Sequence, residues 1–186
     1  CSPDGRSIVL SVTRNGGGAR LGVEWAAGGG RQLTGSGAVD ARPWVSPDGA
    51  QIVVLADRGG SPQLYIMPAG GGDAKRLSYG QGNYGDPVWS PRGDLIAFTR
   101  IAGGMFSLGV MAPDGTGERI MTEGFTVESP SFCPNGRVLA YCRQTRAGAG
   151  GAGFSSSIAM VDITGFNDRP LPTPEGASDP TWSPLN

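Results

Sequence analysis

The sequence predicts an all-β chain built as a β-propeller. Three features carry that expectation: a turn motif that returns at a nearly fixed period, apolar runs of strand length that do not alternate, and glycine and proline placed at the corners between them. The motif is Ser-Pro-x-Gly. "SPDG" begins at Ser2 and Ser46, "SPRG" at Ser90, the variant "CPNG" at Cys133 and a last "SP" at Ser183, so the steps are 44, 44, 43 and 50 residues. A period of about 40–45 residues with four strands per unit marks propeller blades. One insertion, "RAGAGGAGFSSS" at 146–157, lengthens the final step. Its glycine and serine content predicts a mobile loop between two strands of its blade, a tolerated surface insertion.

The four-stranded unit is clearest at 83–122. "NYGDPVWS" is the inner strand, "PRG" turns it, and "DLIAFTR" returns as the second. "IAGGMF" is a turn, "SLGVMA" the third strand, "PDGTG" another turn and "ERIMT" the outer strand. Proline presets φ and glycine accepts positive φ, which suits both to the corners. The frame repeats at 39–78 and, more loosely, at 126–173. The blade units are therefore 1–36, 37–79, 80–122 and 123–174, within one propeller spanning 1–186. The first unit supplies "RSIVLSV", "RLGVEW" and "GRQLT" without an inner strand. The closing "ASDPTWSP" is an inner strand with nothing after it, so residues 175–186 are expected to complete the first blade. That makes four blades' worth of strands, closing alone or forming part of a larger ring.

The middle strands "IVVL", "LYIM", "LIAF" and "VLAY" are apolar at every position. A sheet with one wet face would alternate. Strands covered on both sides are what radially stacked blades require.

Composition narrows the function. Fifteen basic residues against sixteen acidic ones leave a net charge of -1, with no basic field for nucleic acid or an anionic membrane. No apolar run approaches the ~18 residues of a membrane-spanning helix. The chain has no histidine, which removes Ser-His-Asp and Cys-His catalysis and any histidine-based metal site. Opening at "CSPDG", in the middle of a repeat, it looks like a piece of a longer protein and is silent on export. Of the three cysteines, Cys133 and Cys142 fall on paired strands, with Cys142 expected opposite about Ser129. That is roughly 13 Å along the strand from Cys133, at ~3.3 Å per residue, beyond disulfide reach. The thiols are read as small buried hydrophobes.

Candidate recognition residues follow from the repeat. The starts of the inner strands converge on a propeller's axis. Immediately before each motif proline stand Arg42, Asp86, Ser129 and Asp179; one or two positions earlier come Asp40, Tyr84 and Glu128. Charges of both signs at one rim suit recognition of an inserted partner loop, against the plainer role of capping strand ends. No catalytic, cofactor or metal site is assigned. The carboxylates have no spacing that selects glycosidase chemistry. "DRGG" at 57–60 has no Walker lysine after it, and "PDGTGE" at 113–118 reads as a hairpin turn rather than a calcium loop. Trp89, Trp182 and Phe132 are assigned to packing between blades.

The repeat "SPDGAQIVVLADRGGSPQLYIMPAGGGDAKRLS", its successor "WSPRGDLIAFTRIAGGMFSLGVMAPDGTGERIMTEGF" and the closing "ASDPTWSPLN" resemble the TolB family of the Tol-Pal system. The resemblance implies a non-enzymatic periplasmic protein with an N-terminal α/β domain and a six-bladed propeller. It implies a Pal-like lipoprotein bound at the propeller, contact with a TolA-like inner-membrane protein, and a role in outer-membrane integrity during division. No cofactor, nucleic acid or membrane insertion is implied. The chain departs from the pattern at Val45, where an aromatic is usual (Trp44 is shifted by one), at Cys133 in place of serine, and at Cys1. Similar repeats occur in the propellers of serine peptidases and polysaccharide-degrading enzymes, the alternative reading. The absence of histidine and of any Gly-x-Ser-x-Gly elbow counts against that activity in this chain.

Overall fold

A computed structural model describes residues 1–13, 18–35, 39–146, 153–174 and 176–183. Its fifteen strands form four antiparallel sheets in chain order. The first sheet holds β1 (Ser7–Val12), β2 (Arg20–Trp25) and β3 (Gly30–Gln32). The second holds β4 (Asp40–Val45), β5 (Gln51–Ala56), β6 (Gln63–Pro68) and β7 (Lys75–Arg76). The third holds β8 (Asn83–Trp89), β9 (Ile96–Ala102), β10 (Met105–Met111) and β11 (Arg119–Gly124). The fourth holds β12 (Thr126–Phe132), β13 (Val138–Arg146), β14 (Phe154–Asp162) and β15 (Arg169–Pro170). Every sheet is a meander of neighbours, the architecture of propeller blades.

The repeated motif builds one repeated turn. The amide of the anchor residue bonds across to the start of the second strand, from Ser46 to the Gln51 carbonyl at 2.8 Å and from Cys133 to the Val138 carbonyl at 2.9 Å. The motif glycine closes the turn with positive φ, 74° at both Gly49 and Gly93 and 70° at Gly136, where a side chain would be strained. Sulfur substitutes for oxygen at the variant anchor: the Val138 amide donates to Cys133 Sγ at 3.2 Å, as the Gln51 amide donates to Ser46 Oγ at 2.9 Å.

Non-alternating strands are buried on both faces, each face in a different core. In β9, Ile96 and Phe98 enter the core shared with the second sheet, while Ala97 enters the core shared with the fourth. In β5, Val53 faces forward to the third sheet, and Ile52 and Val54 face back to the first. The three cores are thus the three contacts between successive blades. At roughly 1.5–3 kcal/mol for each fully buried large aliphatic or aromatic side chain, they dominate the favourable side of folding.

Three expectations change in detail. The "IAGGMF" turn shrinks to Gly103-Gly104, both with positive φ (58° and 81°), and Ala102 pairs with Met105 across it. Two positive-φ residues between paired strands make the hairpin turn whose twist matches the strands. Part of the insertion at 146–157 is strand: Arg146 pairs with Phe154 and Gln144 with Ser156, while residues 147–152 lie outside the described residues. The first sheet keeps three strands, and among the described residues 176–183 carry no strand and do not pair with β1. The closing stretch lies beside the fourth blade instead, where Trp182 Nε1 donates to the Ser131 carbonyl at 3.0 Å. The first and fourth sheets share no contact among the described residues.

Candidate functional site

Each complete blade carries a defect in its inner strand at the same place. Pairing of β4 with β5 shifts between Ala41 and Trp44, of β8 with β9 between Gly85 and Val88, and of β12 with β13 between Glu128 and Ser131. The skipped residues are Arg42-Pro43, Asp86-Pro87 and Ser129-Pro130. Proline has no amide to give to the ladder, and a bulge re-aims the side chain it displaces. The residue before a proline ordinarily takes an extended backbone with negative φ. Here φ is 49° at Arg42, 45° at Asp86, 53° at Ser129 and 50° at Asp179. Holding a non-glycine residue in that region costs on the order of 1–3 kcal/mol, and such residues concentrate at functional sites.

All four X-Pro pairs line one open pocket of about 380 Å³, together with Trp44, Val88, Ser131 and Thr181. Side chains link in pairs across neighbouring inner strands. The Arg42 guanidinium forms an ion pair with the Asp86 carboxylate, and the Thr99 hydroxyl donates to Asp86 Oδ2 at 3.3 Å. Ser129 Oγ donates to Asp179 Oδ1 at 3.1 Å and Ser178 Oγ donates to Asp179 Oδ2 at 2.8 Å. The floor is apolar, with Pro87 and Pro130 buried. One side of the pocket is therefore a neutralised ion pair. The other holds a carboxylate that has only hydroxyl partners among the described residues.

The remaining sequence candidates stand elsewhere. Asp40 is fully buried and paired with Arg58, whose Nη2 lies 2.9 Å from Oδ1 and 3.1 Å from Oδ2. Tyr84 is also buried: its hydroxyl donates to Glu118 Oε1 at 2.7 Å, and Arg100 donates to the same oxygen at 3.1 Å. Burial, and then the bond to Glu118, push the Tyr84 phenol above its ordinary range. Neither side chain reaches the pocket: both precede the bulge, Asp40 turning to Arg58 of its own blade and the Tyr84 ring entering the core between the second and third blades. Glu128 is half-buried and lies opposite Cys142, one residue from the expected partner Ser129, since the bulge at Ser129-Pro130 displaces the register. Burial first, and the Glu128 and Asp179 carboxylates second, raise the Cys142 thiol above its ordinary value. Cys133 and Cys142 are buried free thiols, while Cys1 is exposed.

Reading the repeat by its proline anchor overlooks Trp44. Its side chain is half-exposed, at 48 %, and stands in the pocket. The signal was available: the aromatic sits one place early, and a shift of one residue turns a strand side chain to the opposite face.

The TolB β-propeller domain model matches residues 1–186. The chain belongs to the TolB β-propeller family. The TolB protein of Gluconobacter oxydans is 67% identical over all 186 residues, which amount to 41% of that protein. The chain thus spans about two-fifths of the length of this relative, which is named a Tol-Pal system protein. The crystal structure of TolB from Acinetobacter baumannii superposes with a TM-score of 0.80 at 27% identity, covering 99% of this chain and 45% of that one. Puromycin hydrolase also superposes, at a TM-score of 0.69 over 95% of this chain and 28% of that one. At 20% identity that likeness shows the propeller fold alone.

Proposed function

We propose that the chain is the partner-binding propeller of a Tol-Pal TolB protein in the periplasm of a Gram-negative cell, and that it acts without catalysis. The X-Pro pocket receives a loop of a peptidoglycan-associated, Pal-like lipoprotein, and this reversible contact supports outer-membrane integrity during division. A TolA-like inner-membrane protein is the second partner, met through parts of the longer protein. One observation carries the reading: three inner strands and the closing segment each hold a strained, non-glycine residue before proline, and all four meet in a single pocket. Strain repeated at a position where the blades differ in chemistry points to what those side chains present. The pocket is mixed in polarity and lies in the mouth of a propeller, where concave ligand sites form.

The test is calorimetric titration of the full-length protein with the soluble domain of a Pal-like lipoprotein, at two salt concentrations. Asp86→Lys combined with Asp179→Lys should weaken binding at least ~10-fold and alter its salt dependence, because charges at an interface set both orientation and association rate. Unchanged affinity and salt dependence in that variant would overturn the pocket as the binding site.

A further inference from the structure

Trp44 occupies a place that its counterparts fill with small or modest side chains. The pairing register puts Trp44 opposite Val53, Val88 opposite Ala97 and Ser131 opposite Ala140. Three of the four sectors of the pocket therefore present Val88, Ser131 and Thr181, and one presents an indole. That indole contributes to none of the three interblade cores. Its Nε1–H has no hydrogen-bond acceptor among the described residues. Folding accounts for little of it.

The surroundings say what it would meet. Pro43 and Pro87 flank it with further apolar surface, and the adjacent Arg42–Asp86 pair is internally neutralised. This sector offers a flat apolar face with no net charge, on which an apolar side chain buries area without the desolvation cost that a charged group would pay. The Ser129–Asp179 sector across the pocket carries an unneutralised carboxylate and suits a cation or a hydrogen-bond donor. Tryptophan is among the residues most enriched at binding hot spots, which lie in well-packed, desolvated pockets.

We infer that Trp44 is the specificity-determining residue of the pocket: it seats an uncharged apolar side chain of the partner loop, while the Asp179 sector takes a donor or cation further along the same loop. The inference rests on the pocket being the partner site, as proposed above. The asymmetry fixes the loop's direction across the four blades, since only one orientation places its apolar residue over the indole.

The test uses the full-length protein and the soluble domain of a Pal-like lipoprotein, with Trp44→Ala, Trp44→Val and Trp44→Phe followed by calorimetry and stopped-flow dissociation. Trp44→Ala and Trp44→Val should weaken binding ~10-fold or more, mostly through faster dissociation, and Trp44→Phe should stay within about threefold of the parent. Thermal midpoints of all three should match the parent, because the side chain lies outside the cores. A double-mutant cycle against alanine variants of the partner's loop should place the coupling on one apolar residue. If the parent binds and Trp44→Ala binds equally well, or if the coupling falls on a charged partner residue, the inference is overturned and the pocket reading stands. If the parent does not bind, the pocket reading fails and takes this inference with it.

Discussion

The inner strands of the second and third blades read Arg-Pro-Trp-Val-Ser-Pro at 42–47 and Asp-Pro-Val-Trp-Ser-Pro at 86–91, a motif with its two central residues exchanged. The exchange sends the two tryptophans to opposite fates. Trp89 is buried at 4 % among Val53, Leu64 and Phe98 between two blades, whereas Trp44 stands in the pocket. Val88 joins one interblade core, and Val45 packs against another. Successive strand residues point to opposite faces, so composition is preserved while chemistry is redistributed. In the second blade Val45 packs between blades while its neighbour Trp44 is open to recognition, whereas in the third Val88 both packs between blades and borders the pocket.

The largest effect should come from truncating the two tryptophans separately. Trp89→Ala empties a close-packed interblade site and should cost on the order of 3–5 kcal/mol, seen as a much lower chemical-denaturation midpoint. Trp44→Ala should change stability by less than ~1 kcal/mol. Equal losses would dissolve the distinction between packing and pocket faces.

Next come the two aspartates of adjacent blades. Asp40 lies in the second inner strand before the bulge, its side chain 1 % exposed and paired with Arg58. Asp40→Ala leaves that guanidinium, itself 30 % exposed, without its partner. A loss of about 1–3 kcal/mol is expected, below the cost for a fully buried pair because water reaches Arg58. Asp86 pairs with an Arg42 that is 66 % exposed, so Asp86→Ala should cost no more than ~1 kcal/mol. Urea titrations of both variants decide it, and a larger loss at Asp86 would reverse the assignment.

The legible part of this fold was periodic. Anchor spacing located the inner strands, glycine and proline located their turns, and runs such as "LIAF" revealed burial on both faces before any contact was known. Positions before the motif prolines were also readable as a set, because they hold one place in the repeat with different chemistry. What the sequence did not show is where each strand slips. Each slip falls at an X-Pro pair, but counting back from proline as if the strand ran straight placed Asp40 and Tyr84 beside Arg42 and Asp86. In the fold, the slip separates them, and the earlier residues belong to ion pairs and hydroxyl networks. The closing segment has a plain inner-strand motif; its described residues lie beside the fourth blade, where Trp182 meets the Ser131 carbonyl, and no single repeat encodes which neighbour such a segment takes.

A smaller effect tests the bulge itself. If positive φ at Ser129 is strain carried for the pocket, glycine should relieve it and a β-branched residue should aggravate it. Ser129→Gly should be neutral or stabilising by up to ~1 kcal/mol despite the lost bond to Asp179, and Ser129→Val should destabilise by about 1–3 kcal/mol. Thermal melts read both. Equal behaviour of the two variants would mean that the backbone there is unstrained.

The smallest expected shift concerns Glu128, which stands behind the pocket wall rather than in it. Burial chiefly, and the nearby Glu128 and Asp179 carboxylates in addition, hold the Cys142 thiol above its ordinary value of 9.0. The unfolded chain therefore ionises this thiol first, and the stability it contributes is full below about pH 9 and is lost as pH rises toward the folded value. Glu128→Gln removes one of the two charges without touching the burial. In a Cys1→Ser, Cys133→Ser background, the ultraviolet thiolate titration of Cys142 should move to lower pH by a fraction of a unit, while partner affinity stays within about twofold. A titration that does not move, joined to a clear loss of affinity, would transfer Glu128 from the wall to the pocket and enlarge the recognition surface beyond the four residues that precede the prolines.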